Sequence, residues 1–116
     1  MVLDTKAGPS WVNTDLDAPI IVDTTKQEYY REPTFYVMGH FSKFLPPGSV
    51  RIESTTTESV NNHALVGAFR TPHNATVVIV VNTEDKEIDF VVDDSTSGKL
   101  ITKIPPKSIQ SYIYYD

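Results

Sequence analysis

From Gly48 to the end, the chain is a string of strand-sized apolar and β-branched runs separated by turn residues, and this pattern limits its fold most. Val50-Arg51-Ile52 and Thr55-Thr56-Thr57 open the series. Ala64 to Phe69 and Ala75 to Val81 flank Thr71-Pro72-His73-Asn74, which has the composition of a hairpin loop. Asn82-Thr83-Glu84-Asp85 turns into Ile88 to Val92, and Asp93 to Gly98 turns into Lys99 to Ile104. Pro105-Pro106-Lys107 leads into Ser108 to Tyr115. Short strands at this spacing predict an antiparallel β-sandwich or barrel.

The segment before Gly48 follows a different rule. Pro33 suits the first position of a helix, where its missing N–H costs nothing. Phe35, Met38, Phe41 and Leu45 then recur at helical spacing, widened by Val37 and Phe44, until Pro46-Pro47-Gly48 stops the run. One helix of about three turns is expected. Its apolar stripe needs a partner surface, and no second helix follows. Residues 1–32 read as loop, broken at Gly8-Pro9 and Asp17-Ala18-Pro19, with Ile20-Ile21-Val22 as a short strand or anchor. Two architectures are therefore expected, residues 1–47 and residues 48–116.

Composition closes off several functions. With 116 residues the chain suits one small domain. Its net charge of −5, without a Lys/Arg cluster, is wrong for a nucleic-acid surface. No cysteine is present to serve as disulfide, thiolate nucleophile or metal ligand. The five glycines are scattered, which leaves no phosphate-cradling loop, and no cofactor is expected. Met1 to Lys6 lacks the basic and apolar regions of a signal peptide, and Val77 to Val81 is far short of a membrane helix.

Catalytic chemistry is harder to find. Glycosidic cleavage uses two carboxyls that face each other across the sugar. The six glutamates (Glu28, Glu32, Glu53, Glu58, Glu84 and Glu87) lie among polar neighbours or in turns, so no catalytic pair is expected. His40, His63 and His73 are too dispersed to mark a metal site, and none is expected. Two features remain. Trp11, the one tryptophan, sits in a Gly-Pro loop, where a flat ring can stack on a sugar or anchor the loop. Asn74-Ala75-Thr76 is a glycosylation triplet placed in an expected turn.

Three stretches carry a family resemblance: Ala7-Gly8-Pro9-Ser10-Trp11-Val12, Ala18-Pro19-Ile20-Ile21-Val22-Asp23, and Phe35 to Phe44, which ends Gly39-His40-Phe41-Ser42-Lys43-Phe44. With Pro46-Pro47-Gly48-Ser49 and the closing Ser108-Ile109-Gln110-Ser111-Tyr112, they resemble glycoside hydrolase family 30 in its glucosylceramidase branch. The G-H-F-S-K-F run fits that branch better than the xylanases of the same family. The resemblance implies a (β/α)8 barrel joined to a β-sandwich and retaining cleavage of β-glucosides by two glutamates upstream of the matched region. On that basis the chain is expected to be a C-terminal fragment: rim loop and last barrel helix to residue 47, sandwich thereafter, inactive alone. Met1 would be an internal methionine. The resemblance makes Trp11, Val12, Asn13, Thr14 and Asp15 candidate substrate-rim residues, although Thr14 stands where human-type enzymes have asparagine and Asp15 where they have phenylalanine. It further implies glucosylceramide or another β-glucoside as substrate through the full-length enzyme, a saposin-type activator, an anionic membrane surface, and the lysosomal lumen or secretory pathway. The alternative reading is a stand-alone sandwich that binds carbohydrate or a protein partner. Without the missing strands and helices, the isolated chain is expected to be aggregation-prone or partly molten.

Overall fold

The computed structural model describes residues 1–10, 12, 16–56 and 64–115. The chain divides into two compact units, Met1–Phe41 and Ser42–Asp116.

The first unit contains more regular structure than its sequence announces. Where a loop was expected, three short strands form one sheet: β1 (Val2–Asp4), β2 (Ile20–Asp23) and β3 (Glu28–Arg31). β1 runs parallel to β2 with Leu3 opposite Ile21, and β3 returns antiparallel with Tyr30 opposite Ile21. Strands of three or four residues are too short to show a period. A parallel pair also joins segments far apart in sequence, so no local turn signal betrays it. Among the described residues of this unit, Leu3 and Ala18 are the buried apolar ones.

The helix α1 (Pro33–Ser42) begins at the expected proline, and its last residue falls in the second unit. The Phe35 N–H donates to the Glu32 carbonyl at 2.9 Å, closing the first turn around Pro33. None of its ten residues is buried. Met38 remains 54% exposed and Phe41 43%, while Phe35, Phe44 and Leu45 are half-buried, so the stripe legible in the sequence is only partly covered.

The described residues of the second unit hold six strands: β4 (Val50–Arg51), β5 (Ala64–Arg70), β6 (Ala75–Asn82), β7 (Ile88–Asp94), β8 (Gly98–Ile104) and β9 (Ser108–Tyr115). They form a four-stranded sheet in the order β4-β5-β6-β9 and a two-stranded sheet of β7 and β8, every pairing antiparallel. Thr55-Thr56, read as strand, is not in one, and Thr57 lies outside the described residues. Pairing in register puts Val66 and Ala68 of β5 beside Val80 and Val78 of β6, with Tyr112 of β9 on the far side of Val78. These meet Phe90 of β7 and Ile104 of β8 in the sandwich core. The Phe90 and Tyr112 rings stack at 6.3 Å with planes 22° apart, which joins the two sheets directly.

The two halves of the sandwich solve burial differently. Along β7 and β8, alternate residues point outward, and there Asp89 pairs with Lys103 and Asp93 with Lys99 across the strands, on either side of Val91 and Ile101. β6 instead is covered on both faces: Val78 and Val80 in the core, Val77 and Ile79 on the opposite side, all at most 4% exposed. That is why its sequence is a continuous apolar run and shows no alternation.

Candidate functional site

The segment that carries the candidate rim residues begins where β1 ends. Asp4 is the last residue of that strand, and its Oδ1 accepts the N–H groups of both Lys6 and Gly8 at 2.8 Å. The backbone closes the same turn: the Asp4 N–H donates to the Gly8 carbonyl at 2.7 Å, and the Ala7 N–H to the Asp4 carbonyl at 3.1 Å. A Cβ at Gly8 would fall 2.9 Å from Asp4 Oδ2, so any larger residue here would have to displace the carboxylate that caps the turn. The Gly8 and Lys6 N–H groups, with some help from the Lys6 charge, hold the Asp4 carboxyl below its ordinary pKa. Gly8-Pro9, a cis peptide, then feeds the segment toward Trp11.

Of the candidate rim residues, Val12 is exposed, with its N–H 3.3 Å from the Ser10 hydroxyl. Trp11, Asn13, Thr14 and Asp15 lie outside the described residues. The far end of the segment is fixed by Asp17, whose Oδ1 accepts the Ala18 N–H at 2.7 Å, and by the Glu32 N–H, which reaches the Pro19 carbonyl at 3.0 Å.

Sequence reasoning weighed glutamates and passed over the aspartates that end strands. Asp23, at the end of β2, repeats the work of Asp4: its Oδ1 accepts the N–H groups of Thr25 and Lys26, and Lys26 Nζ lies 3.6 Å from Oδ2. The Lys26 backbone bond is the main reason its carboxyl is held low. A signal was present, since Asp-Thr-Lys-Ala-Gly and Asp-Thr-Thr-Lys both open with a side chain suited to capping its own turn. Both carboxylates are engaged in shaping loops. The described glutamates are spread over β3 (Glu28), the entry to α1 (Glu32), the segment after β4 (Glu53) and the β6–β7 turn (Glu84 and Glu87). Glu28 accepts the Tyr30 hydroxyl, and Glu87 pairs with Lys103 at 3.1 Å. Glu58 lies outside the described residues.

In the second unit a groove of about 330 Å³ is lined by Val92, Leu100 and the β9 tyrosines Tyr112, Tyr114 and Tyr115, with no carboxylate among its lining residues. It offers a largely apolar surface edged by tyrosine hydroxyls and by Lys99, without the facing carboxyls that glycosidic cleavage uses. The other candidate, Asn74, is exposed at the tip of the β5–β6 hairpin with φ of 60°.

Asn82 is a polar residue whose importance sequence reasoning missed. It is 1% exposed, and its Nδ2 donates to the carbonyls of Lys86, Ile104 and Pro105 at 2.9–3.1 Å. Its Oδ1 accepts the Glu84 N–H at 2.9 Å. One side chain thereby ties the β6–β7 turn to the end of β8.

Relatives extend these observations to a family. The model of the glycosyl hydrolase family 30 TIM-barrel domain matches residues 1–45, and that of the family 30 beta sandwich domain matches residues 48–112. The lysosomal acid glucosylceramidase of Mus musculus is 37% identical over 114 residues, covering 98% of this chain and 22% of that protein. A putative glucosylceramidase 3 of Caenorhabditis elegans is also 37% identical, over 118 residues, with the same two shares. The chain thus spans about a fifth of the length of these relatives. Among solved structures, SrfJ from Salmonella typhimurium superposes with a TM-score of 0.91 at 23% identity, over 99% of this chain and 25% of that one, a likeness of fold. The chain belongs to glycosyl hydrolase family 30.

Proposed function

We propose that the chain is part of a retaining β-glucosidase that hydrolyses glucosylceramide to glucose and ceramide. Residues 1–47 are its barrel portion and residues 48–116 its accessory sandwich. The observation that carries this reading is the 37% identity to the mouse lysosomal glucosylceramidase along 98% of the chain. Residues Trp11 to Asp15 form a substrate rim, held at one end by the Asp4–Gly8 turn and at the other by Asp17. The same reading places the protein in the lysosomal lumen or secretory pathway, with an anionic membrane and a saposin-type activator as partners.

The test is an assay of the full-length enzyme on glucosylceramide in anionic vesicles, beside a soluble β-glucoside and a β-xylan. Turnover of glucosylceramide is expected, with Trp11→Ala raising KM more than it lowers kcat. An enzyme that cleaves xylan and leaves both glucosides intact would refute the reading. The 116-residue chain alone is expected to show no hydrolysis.

A further inference from the structure

We propose that Asn74 is an acceptor for an N-linked glycan. Asn74-Ala75-Thr76 is the one Asn-x-Ser/Thr triplet in the sequence. Its two polar side chains sit in contrasting surroundings. Asn74 is exposed, and its backbone is fully used: the N–H donates to the Thr71 carbonyl at 3.1 Å, and the carbonyl accepts from Arg70 Nη1 at 3.2 Å. Its side-chain carboxamide makes no hydrogen bond among the described residues, so a glycan on Nδ2 displaces no contact of the fold. Asn74 lies in the loop beyond the last β5–β6 pair, Arg70 with Thr76, and is exposed, so a bulky polar group there stays in water.

Thr76 is 2% exposed, one turn of the strand alternation from Val78 and Val80 and on the same face of β6. Its hydroxyl likewise has no partner among the described residues. The nearby Thr71 differs, since its Oγ1 accepts the Ala75 N–H at 3.1 Å. A buried hydroxyl that finds no partner costs stability, and valine has nearly the same shape without that cost. Folding therefore gives no reason for threonine at this position. Recognition of the triplet on the extended chain, before β6 is buried, does give one.

The rival explanation for Asn74 is conformational, because asparagine tolerates the left-handed φ of 60° found there. Aspartate tolerates it as well and cannot be glycosylated, which separates the two roles. In the transfer itself, the Asn74 amide nitrogen bonds to the anomeric carbon of an oligosaccharide carried on a polyprenyl pyrophosphate. The anomeric carbon–oxygen bond breaks, the polyprenyl pyrophosphate leaves with the electron pair, and the proton lost by the amide passes through the transferring enzyme's base to solvent. Nothing is oxidised or reduced. The inference needs only passage through a compartment with such a donor, whatever sugar the enzyme hydrolyses.

The experiment is translation of the full chain behind a secretory leader in the presence of endoplasmic-reticulum microsomes. The protease-protected fraction is then compared before and after peptide N-glycosidase. The expected result is a slower-migrating species that the glycosidase abolishes, lost in both Asn74→Asp and Thr76→Val and kept in Thr76→Ser. Protease-protected wild-type chain without the modification would overturn the proposal. So would a glycosidase-sensitive shift that survives Thr76→Val.

Discussion

Removing the Asn82 carboxamide would take one hydrogen bond each from the carbonyls of Lys86, Ile104 and Pro105 and from the Glu84 N–H; the bond to Ile104 is buried and the others are partly so. The amide has two hydrogens for three acceptors, so one bond is shared. Since each stranded buried group costs about 1–3 kcal/mol, Asn82→Ala is expected to lose about 2–4 kcal/mol in chemical denaturation at low protein concentration. A loss below about 1 kcal/mol would mean that water takes over the role of the amide. The sequence marks Asn82 as the first residue of a turn; in the fold it is the last residue of β6, paired with Ala64 of β5, and the turn follows it. That it also reaches Ile104, 22 residues on, depends on where β8 ends in space. Asp4 shows the same limit at shorter range. Its capping role is written within five residues, Asp4 to Gly8, yet reading the chain for catalytic pairs drew attention to the glutamates instead.

Three turns are closed by an aspartate at or near the end of the preceding strand: Asp4 after β1, Asp23 after β2 and Asp94 after β7. Asp94 Oδ1 accepts the Thr96 and Ser97 N–H groups, and its Oδ2 accepts the Tyr114 hydroxyl of β9 at 3.0 Å. All three carboxyls are held below the ordinary value of 3.8, chiefly by bonds from backbone N–H groups. A folded pKa below the unfolded one adds stability that is present above the unfolded value and lost as pH falls through the folded one. The melting temperature is therefore expected to hold down to mildly acidic pH as far as these groups decide it, and to drop below about pH 3.8. Asp94→Asn should make the acid loss shallower in circular-dichroism melts; a wild-type decline centred near neutrality would assign the acid response to other groups. At this scale the sequence was most legible where elements are long or punctuated. Pro33 marks the start of α1, and β9 spans Ser108–Tyr115 as expected. β1 and β3 escaped notice, and β2 was read only as a short strand or anchor at Ile20 to Val22, because three or four residues carry no period and the β1–β2 pairing is distant.

On the scale of the whole molecule, the described surface retains apolar side chains and open strand edges that a closed sandwich would cover. Ile101 is 76% exposed and Leu65 67%, and among the described residues β7 and β8 form a two-stranded sheet. Such edges template pairing with another chain. The chain as given is expected to self-associate with rising concentration in light scattering, and Ile101→Lys to reduce that association without lowering the melting temperature. A monodisperse monomer at high concentration would contradict this. Sequence by itself determined which segments are strands from β5 onward, where the helix begins, and the absence of any cysteine, because these follow from residue type and from neighbours a few positions away. Only the tertiary structure decided that β6 is buried on both faces, that Asn82 bridges to β8, and that Met38 and Phe41 in the middle of the helical stripe are left exposed. The physical reason is that burial and hydrogen-bond satisfaction depend on partners distant in the chain, which no local pattern contains.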